Sequence, residues 1–199
     1  MDYKRIVGNV ELVSLTDGQG GGRPTGIFPS STVETWRNEY PELLDADGLI
    51  HPRYGSVAVR SGGKLVIVDT GAGPPNGALM DDMASKGVDR EAVDLVVLTH
   101  LHPDHVGWNI NNDGASPVPA FPKARYVFHK DDWEAFRPPR DSEIFGLTFW
   151  EETLAPLEAA GVIEPLSGEH SITSEIKAIL TPGHTPGSMS LSLTSHTVE

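Results

Sequence analysis

Hydrophobic and polar residues alternate in two segments of the N-terminal half, as they do in strands that are buried on one face. The alternation covers residues 6–15 and 56–60, and we predict a strand over each. Between them, the glycine-rich stretch 18–24 predicts a flexible loop. This loop lacks the Gly-Lys-Ser/Thr ending of a phosphate-binding P-loop, so we do not expect a nucleotide there.

Helix signals recur along the chain. Ser31 and Glu34 have the spacing of a capping box, which predicts a short helix that Pro41 stops. Glycine is the commonest residue at helix ends, and it closes two of the other predicted helices. These further helices span 77–87, closed by Gly87; 131–136, capped by Asp131; and 149–161, closed by Gly161 and kinked or shortened by Pro156.

Apolar runs rich in β-branched residues predict buried strands in the rest of the chain. One run begins at residue 64 and breaks into the turn Asp69-Thr70-Gly71. Strands that alternate with helices predict one α/β domain over residues 1–199, with its site on the loops at the strand ends. The other predicted strands span 94–100, 124–129, 175–184 and 188–195.

Composition and charge narrow the class of protein. Hydrophobic residues make up 38% and charged residues 22% of 199, which is typical of a folded globular chain. The net charge of −13 disfavours a nucleic-acid partner, and the absence of cysteine excludes disulfides and thiolate metal sites. We find neither a membrane-spanning apolar run nor a leader segment, and we therefore expect a cytoplasmic protein without a membrane partner.

Side chains that can bind a metal ion are most concentrated in THLHPDHVGW, residues 99–108. In an extended segment His100 and His102 point to the same side, so both imidazoles can bind one ion. Asp104 and His105 follow the turn at Pro103 and can face a second ion. Imidazole and carboxylate ligands suit Zn²⁺, Mn²⁺ or Fe²⁺, and this density favours a metal site over a merely histidine-rich surface loop.

A second histidine motif follows near the C-terminus. In LTPGHTPGS, residues 180–188, two Pro-Gly pairs form a rigid turn around His184 at another strand end. A fixed backbone is what a distant ligand needs in order to complete a three-histidine set. We interpret His51, His129 and His170 instead as surface or core-edge histidines.

These motifs resemble those of a known protein family. HLHPDH matches the His-x-His-x-Asp-His signature of the metallo-β-lactamase fold superfamily, and LVIVDTG and TPGHTPGS resemble two of its other motifs in the expected order. The resemblance runs from about residue 56 to residue 195. The continuation HVGWN is most similar to the lactonase and organophosphate-hydrolase-like branch.

The resemblance implies an αββα sandwich with two divalent metal ions at one edge of its sheets, most simply zinc, with manganese or iron as alternatives. It assigns His100, His102 and His184 to the first ion, and Asp104 and His105 to the second. Asp69 would orient the metal-binding loops, although an ordinary turn carboxylate is an equal alternative. Trp108 is close enough in sequence to line a pocket.

The chain also departs from that family. The superfamily has a later aspartate that bridges the two metals and a further histidine, and this chain stops fifteen residues after His184. We therefore expect a truncated sandwich that lacks part of its second half. Such a sandwich would leave an apolar face and open strand edges, which a second copy of the chain could cover.

The expected activity is metal-assisted hydrolysis of a small molecule. A metal-bound water has a pKa of roughly 7 instead of 15.7, and it attacks a carbonyl or phosphoryl centre. By resemblance Asp104 both binds metal and passes a proton to the leaving group. An ester or lactone is the preferred substrate, ahead of a phosphotriester or thioester. The alternatives are a non-catalytic metal-binding or interaction fragment and an iron-dependent redox relative.

Overall fold

The computed structural model describes residues 3–112, 114, 116–138 and 147–194. Within them, twelve strands and seven α-helices follow one another along the chain. The strands are β1 Lys4–Val7, β2 Val10–Gln19, β3 Arg53–Ser61, β4 Lys64–Val68, β5 Leu95–Val97, β6 Ile110–Asn111, β7 Val118–Pro119, β8 Arg125–His129, β9 Ile163–Leu166, β10 His170–Ser171, β11 Ile176–Leu180 and β12 Met189–Leu193. The helices are α1 Pro24–Ile27, α2 Val33–Glu39, α3 Leu79–Ser85, α4 Pro103–Val106, α5 Lys130–Phe136, α6 Leu147–Thr153 and α7 Ala155–Ala159.

The larger sheet has seven strands in the order β1-β2-β3-β4-β5-β8-β9. Its first four strands pair antiparallel, while β4, β5, β8 and β9 run parallel to one another. The parallel strands are covered on both faces, which explains why the apolar runs at β4 and β5 are continuous rather than alternating. The carboxyl ends of these strands lie at one edge of the sheet, so the loops that follow them meet there.

Two apolar cores hold the layers together. One core lies between the larger sheet and the helices, where α3 packs on β2 and α5 packs on β8. The other core lies between the larger sheet and the three-stranded sheet β10-β11-β12. On the smaller sheet Ile176 and Ala178 face this second core, whereas Lys177 between them is exposed. The expected mixed α/β architecture with packed sheets is confirmed.

Local details differ from the sequence predictions at three points. Residues 6–15 form a hairpin rather than one strand, because Gly8 has a φ of +57° and turns the chain between β1 and β2. The N-cap of α2 is Thr32 rather than Ser31, and its hydroxyl accepts from the Thr35 amide at 3.1 Å. The N-cap of α5 is His129 rather than Asp131.

Other element predictions are confirmed. Gly87 and Gly161 both have positive φ at helix ends, and α2 stops before Pro41. The predicted helix over 149–161 is divided into α6 and α7, with Pro156 in the first turn of α7. The final predicted strand corresponds to β12, and its last residue, Ser195, lies outside the described residues. Within the described ranges, no helix is long and apolar enough to cross a lipid bilayer.

A bulge in β2 places a carboxylate under the loop that follows β4. The β2–β3 register shifts between Thr16 and Gln19, and Asp17 is 2% exposed at this point. Its oxygens accept from the amides of Gly73 and Leu79 at 2.8 and 2.7 Å, and from the Trp108 indole at 2.7 Å. This one side chain therefore ties β2, the loop after β4, the start of α3 and the segment after the histidine cluster to one another.

We predict that Asp17→Asn destabilises the fold. An asparagine has one carbonyl oxygen for these three donors, and its amide would face a buried N–H. An unsatisfied buried donor costs about 1–3 kcal/mol, so the free energy of unfolding should fall by that amount in chemical denaturation. Asp47→Asn, at an exposed turn, is the matched control and should change stability by less than about 0.5 kcal/mol. Equal stability of the two variants would show that Asp17 does not have this role.

Candidate metal centre

The candidate site residues meet at the carboxyl edge of the parallel strands. Asp69 directly follows β4, and the cluster from His100 to His105 follows β5 and includes the short helix α4. His184 comes from the smaller sheet, on the loop between β11 and β12. The Met189 amide at the start of β12 donates to the Thr99 carbonyl at 2.9 Å, which brings that loop against the β5 loop. Two distant motifs of the sequence therefore meet at one place.

The segment after the histidine cluster runs backbone to backbone along the loop that follows β4. The Thr70 amide donates to the His105 carbonyl at 2.8 Å, and the Gly107 amide donates to the Gly71 carbonyl at 2.8 Å. A Cβ at Gly107 would lie 2.1 Å from the Ala72 carbonyl carbon. Only glycine permits this approach, which explains the glycine in HVGWN.

Three imidazoles converge on a common point. One ring nitrogen from each of His100, His102 and His184 lies within 4.8 Å of the others. His102 Nδ1 and His184 Nε2 are 2.8 Å apart, and His100 Nε2 is buried without a hydrogen-bond partner. A buried nitrogen without a partner is costly, and a metal ion would satisfy it. The three side chains therefore fit a divalent metal ion of the kind that imidazole prefers.

Hydrogen bonds fix which nitrogen of His100 can bind an ion. The Thr99 hydroxyl donates its proton to Asp69 Oδ2 at 2.8 Å. Its oxygen lies 3.1 Å from His100 Nδ1, and it can only accept there because its proton is already used. His100 Nδ1 consequently carries the ring proton. The lone pair is therefore left on Nε2, the nitrogen that is buried without a hydrogen-bond partner.

Asp69 is the carboxylate that organises these loops. It is 6% exposed and has a φ of +60°, a left-handed conformation that few residues other than glycine adopt. It accepts from the Thr99 amide at 2.7 Å and from His105 Nδ1 at 2.8 Å. This second bond places the proton of His105 on Nδ1 and leaves the Nε2 lone pair available. These contacts would let Asp69 orient His105 and the β5 loop, and its role in orienting metal ligands stays a prediction.

Asp104 and His105 lie next to the three-histidine set. The His105 ring centroid is 3.9 Å from that of His100, and His105 Nε2 is 3.6 Å from Asp104 Oδ2. The Asp104 side chain is 47% exposed, so it faces solvent at the edge of the cluster. The structure brings all five candidate ligands together, and their assignment to two separate ions stays a prediction.

Burial and mutual repulsion disfavour the charged forms of His100 and His102. Burial, followed by the nearby charge of His105, lowers the pKa of His100 to about 3. Burial also lowers the pKa of His102, and His184 contributes to that shift. His105 behaves differently, because burial opposes its protonation but the hydrogen bond and charge of Asp69 outweigh burial and raise its pKa. Neutral imidazoles are the forms that bind metal.

The sequence analysis did not single out two residues that contribute to the site, Thr99 and Asp132. Thr99 fixes the His100 tautomer, and buried Asp132 in the first turn of α5 accepts from both loops that carry the clustered histidines. Thr99 stands next to the motif and could have been suspected for that reason. Asp132 was predicted only as part of a helix start, because its partners lie at residues 101, 185 and 187, far away in sequence.

Trp108 was predicted as a possible pocket wall. It is half-buried, donates to Asp17, and lines a cavity of about 680 Å³ together with Met80, Met83 and Val88. None of the four clustered histidines belongs to the described lining of this cavity. The contacts described for this ring are therefore with Asp17 and with a cavity next to α3, and its role in binding substrate stays a prediction.

Solved structures with known functions share this fold. The hydrolase AbOPH of the beta lactamase superfamily matches 97% of this chain with a TM-score of 0.77 and 27% identity, over 69% of its own chain. AidC, a dizinc quorum-quenching lactonase solved with a product, N-hexanoyl-L-homoserine, matches 96% of this chain with a TM-score of 0.79 and 22% identity, over 70% of its own chain.

Sequence comparison gives the family. The probable metallo-hydrolase YflN of Bacillus subtilis is 28% identical over 135 residues, which cover 64% of this chain and 50% of that protein. The chain thus spans half the length of this relative. The sequence model of the metallo-beta-lactamase superfamily matches residues 56–198, a range that contains every candidate ligand. The chain belongs to the metallo-beta-lactamase superfamily.

Proposed function

We propose that this chain carries the metal centre of a hydrolase that cleaves an ester or a lactone of a small molecule. The observation that carries the proposal is the convergence of ring nitrogens from His100, His102 and His184, together with a buried His100 Nε2 that has no hydrogen-bond partner. Imidazole ligands next to a carboxylate are typical of catalytic zinc sites that activate water. Zinc is our first choice of metal, with manganese or iron as alternatives.

When bound, such ions lower the pKa of a coordinated water from 15.7 to roughly 7 and polarise the substrate carbonyl. His100, His102 and His184 would hold the first ion, and Asp104 and His105 would contribute to a second one.

The chain's own residues supply orientation and proton transfer. Thr99 and Asp69 hold the rings of His100 and His105 with their Nε2 lone pairs free for binding. The carboxylate of Asp104 is half exposed at the edge of the cluster. In the proposed reaction it accepts a proton from the attacking water as a general base. It then returns that proton, as a general acid, to the leaving oxygen of the substrate when the acyl C–O bond breaks.

The substrate class is supported by the structural relatives rather than by a described pocket. AidC is a lactonase, and its solved complex contains the product N-hexanoyl-L-homoserine. AbOPH, which is more similar in sequence, is described as a hydrolase. We therefore propose a lactone or ester first, with a phosphotriester or thioester as a further candidate. A cytoplasmic location belongs to the same proposal.

The alternative to an enzyme is a non-catalytic metal-binding module. It is favoured by one observation: among the described residues, the groups of three or more potential ligands that lie close together comprise His100, His102 and His184 alone, which leaves no comparable set for a second ion. An iron-dependent redox relative is a third candidate, because histidine and aspartate ligands do not distinguish zinc from iron.

We predict that His102→Ala removes both metal and hydrolysis. With one imidazole of the first set lost, zinc per chain should fall, and turnover of a chromogenic ester or an acyl homoserine lactone should drop by about 100-fold or more. Elemental mass spectrometry and a pH-indicator assay measure the two effects. His170→Ala is the matched control, since His170 is an exposed histidine on β10.

The outcomes separate the candidates. Zinc-dependent hydrolysis that His102→Ala abolishes and His170→Ala preserves supports the proposal. Zinc bound without any turnover favours the binding module. A wild-type chain that binds neither zinc nor iron contradicts a metal centre altogether.

We also predict that the two ions leave at different pH values. The pKa of His105 is raised, so this ring becomes protonated first as the pH falls, whereas the lowered pKa values of His100 and His102 keep those rings neutral to lower pH. Zinc per chain should therefore fall from two to one in dialysis from about pH 8 to about pH 5, and the remaining ion should leave only at lower pH. Simultaneous loss of both ions would contradict this order.

A further inference from the structure

We propose that Asp132 is a positioning residue that holds the two metal-binding loops in register, so that His184 meets His100 and His102. The inference rests on the proposed metal centre and assigns a role to a residue outside the candidate ligands. Asp132 is fully buried in the first turn of α5, directly after β8. Nearly every buried carboxylate in proteins is paired, and the partners of this one define its role.

One carboxylate connects both loops. Its Oδ2 accepts from the Leu101 amide at 3.2 Å, and Leu101 is the residue between His100 and His102. The same oxygen accepts from the Thr185 hydroxyl at 2.9 Å, next to His184. Its Oδ1 accepts from the Gly187 amide at 2.5 Å. Hydrogen bonds to an ionised carboxylate are about twice as strong as neutral ones, so they restrain both loops.

The close approach at Gly187 supports this role independently. A Cβ at this position would lie 2.6 Å from the Asp132 amide nitrogen and 2.8 Å from Asp132 Oδ1. The second Pro-Gly pair of the TPGHTPGS motif thus provides room for the carboxylate, and a side chain there would push the loop away from α5. A glycine that the sequence suggested only as a turn former is required for contact with Asp132.

The fold has other ties that do not depend on Asp132. Strands β11 and β12 pair along five residue pairs, and the Met189 amide donates to the Thr99 carbonyl. Loss of the carboxylate should therefore leave the sheets assembled. Its effect should instead appear in the distance and orientation of His184 relative to His102, where small displacements weaken metal binding.

The test is the zinc affinity of the full chain, measured by competition with a chromophoric chelator. We expect Asp132→Asn to weaken zinc binding by about tenfold or more, the range seen when residues that orient metal ligands are lost. Asp131→Asn is the matched control, because it removes the same charge from the neighbouring residue, whose carboxylate is 41% exposed. It should change the affinity by less than about twofold.

A second pair of variants separates positioning from charge. Thr185→Val removes the hydroxyl that donates to Asp132 and leaves every charge in place, whereas Thr185→Ser retains the hydroxyl. We expect Thr185→Val to weaken zinc binding in the same direction as Asp132→Asn, and Thr185→Ser to restore it. The visible spectrum of the cobalt-loaded protein should change with Thr185→Val and not with Asp131→Asn, because it reports the geometry of the ligands.

The outcomes of this test distinguish the two proposals. A wild-type chain that does not bind zinc overturns the proposed metal centre and, with it, this role for Asp132. A wild-type chain that binds zinc, with Asp132→Asn and Thr185→Val binding equally tightly, overturns only the positioning role. If Asp132→Asn does not fold by circular dichroism, the comparison of Thr185→Val with Thr185→Ser decides alone.

Discussion

Buried backbone donors in the loops at the sheet edge require acceptors, and three carboxylates supply them. Asp17, Asp69 and Asp132 each accept at least one loop amide, and all three are almost fully buried. A loop without such partners would have to keep its N–H groups in water. Because of these bonds, the loops can lie against the strand ends and hold the histidines at fixed positions.

The same arrangement explains the electrostatics of the cluster. His100 and His102 are close to other imidazoles and shielded from water, so their charged forms are disfavoured and their pKa values fall. Asp69 compensates only His105, whose pKa rises. As a result, His100 and His102 are kept neutral, and the Nε2 lone pair of His100 is buried without a hydrogen-bond partner. A divalent cation would both satisfy this atom and complement the surrounding carboxylates.

Much of the architecture could be predicted from the pattern of apolar residues and from the glycine and proline residues that end helices and strands. The apolar runs at β4, β5 and β8 are buried strands, and Gly87 and Gly161 end helices as expected. The predictions were wrong where a local sequence pattern was compatible with two structures. Gly8 breaks a predicted strand into a hairpin, and the N-caps of two helices lie one or two positions away from the predicted residues. Such choices depend on which donor the rest of the fold leaves unpaired.

The sequence by itself determined the family, the order of the motifs and the residue types able to bind metal, since these depend on local spacing. His100 and His102, two residues apart at a strand end, could be assigned to one site without a structure. Only the tertiary structure decided that His184 reaches them and that Thr99 sets a tautomer. The role of Asp132 also required it, because its partners come together only when the two sheets pack. Contacts between distant segments are fixed by packing, which no local pattern encodes.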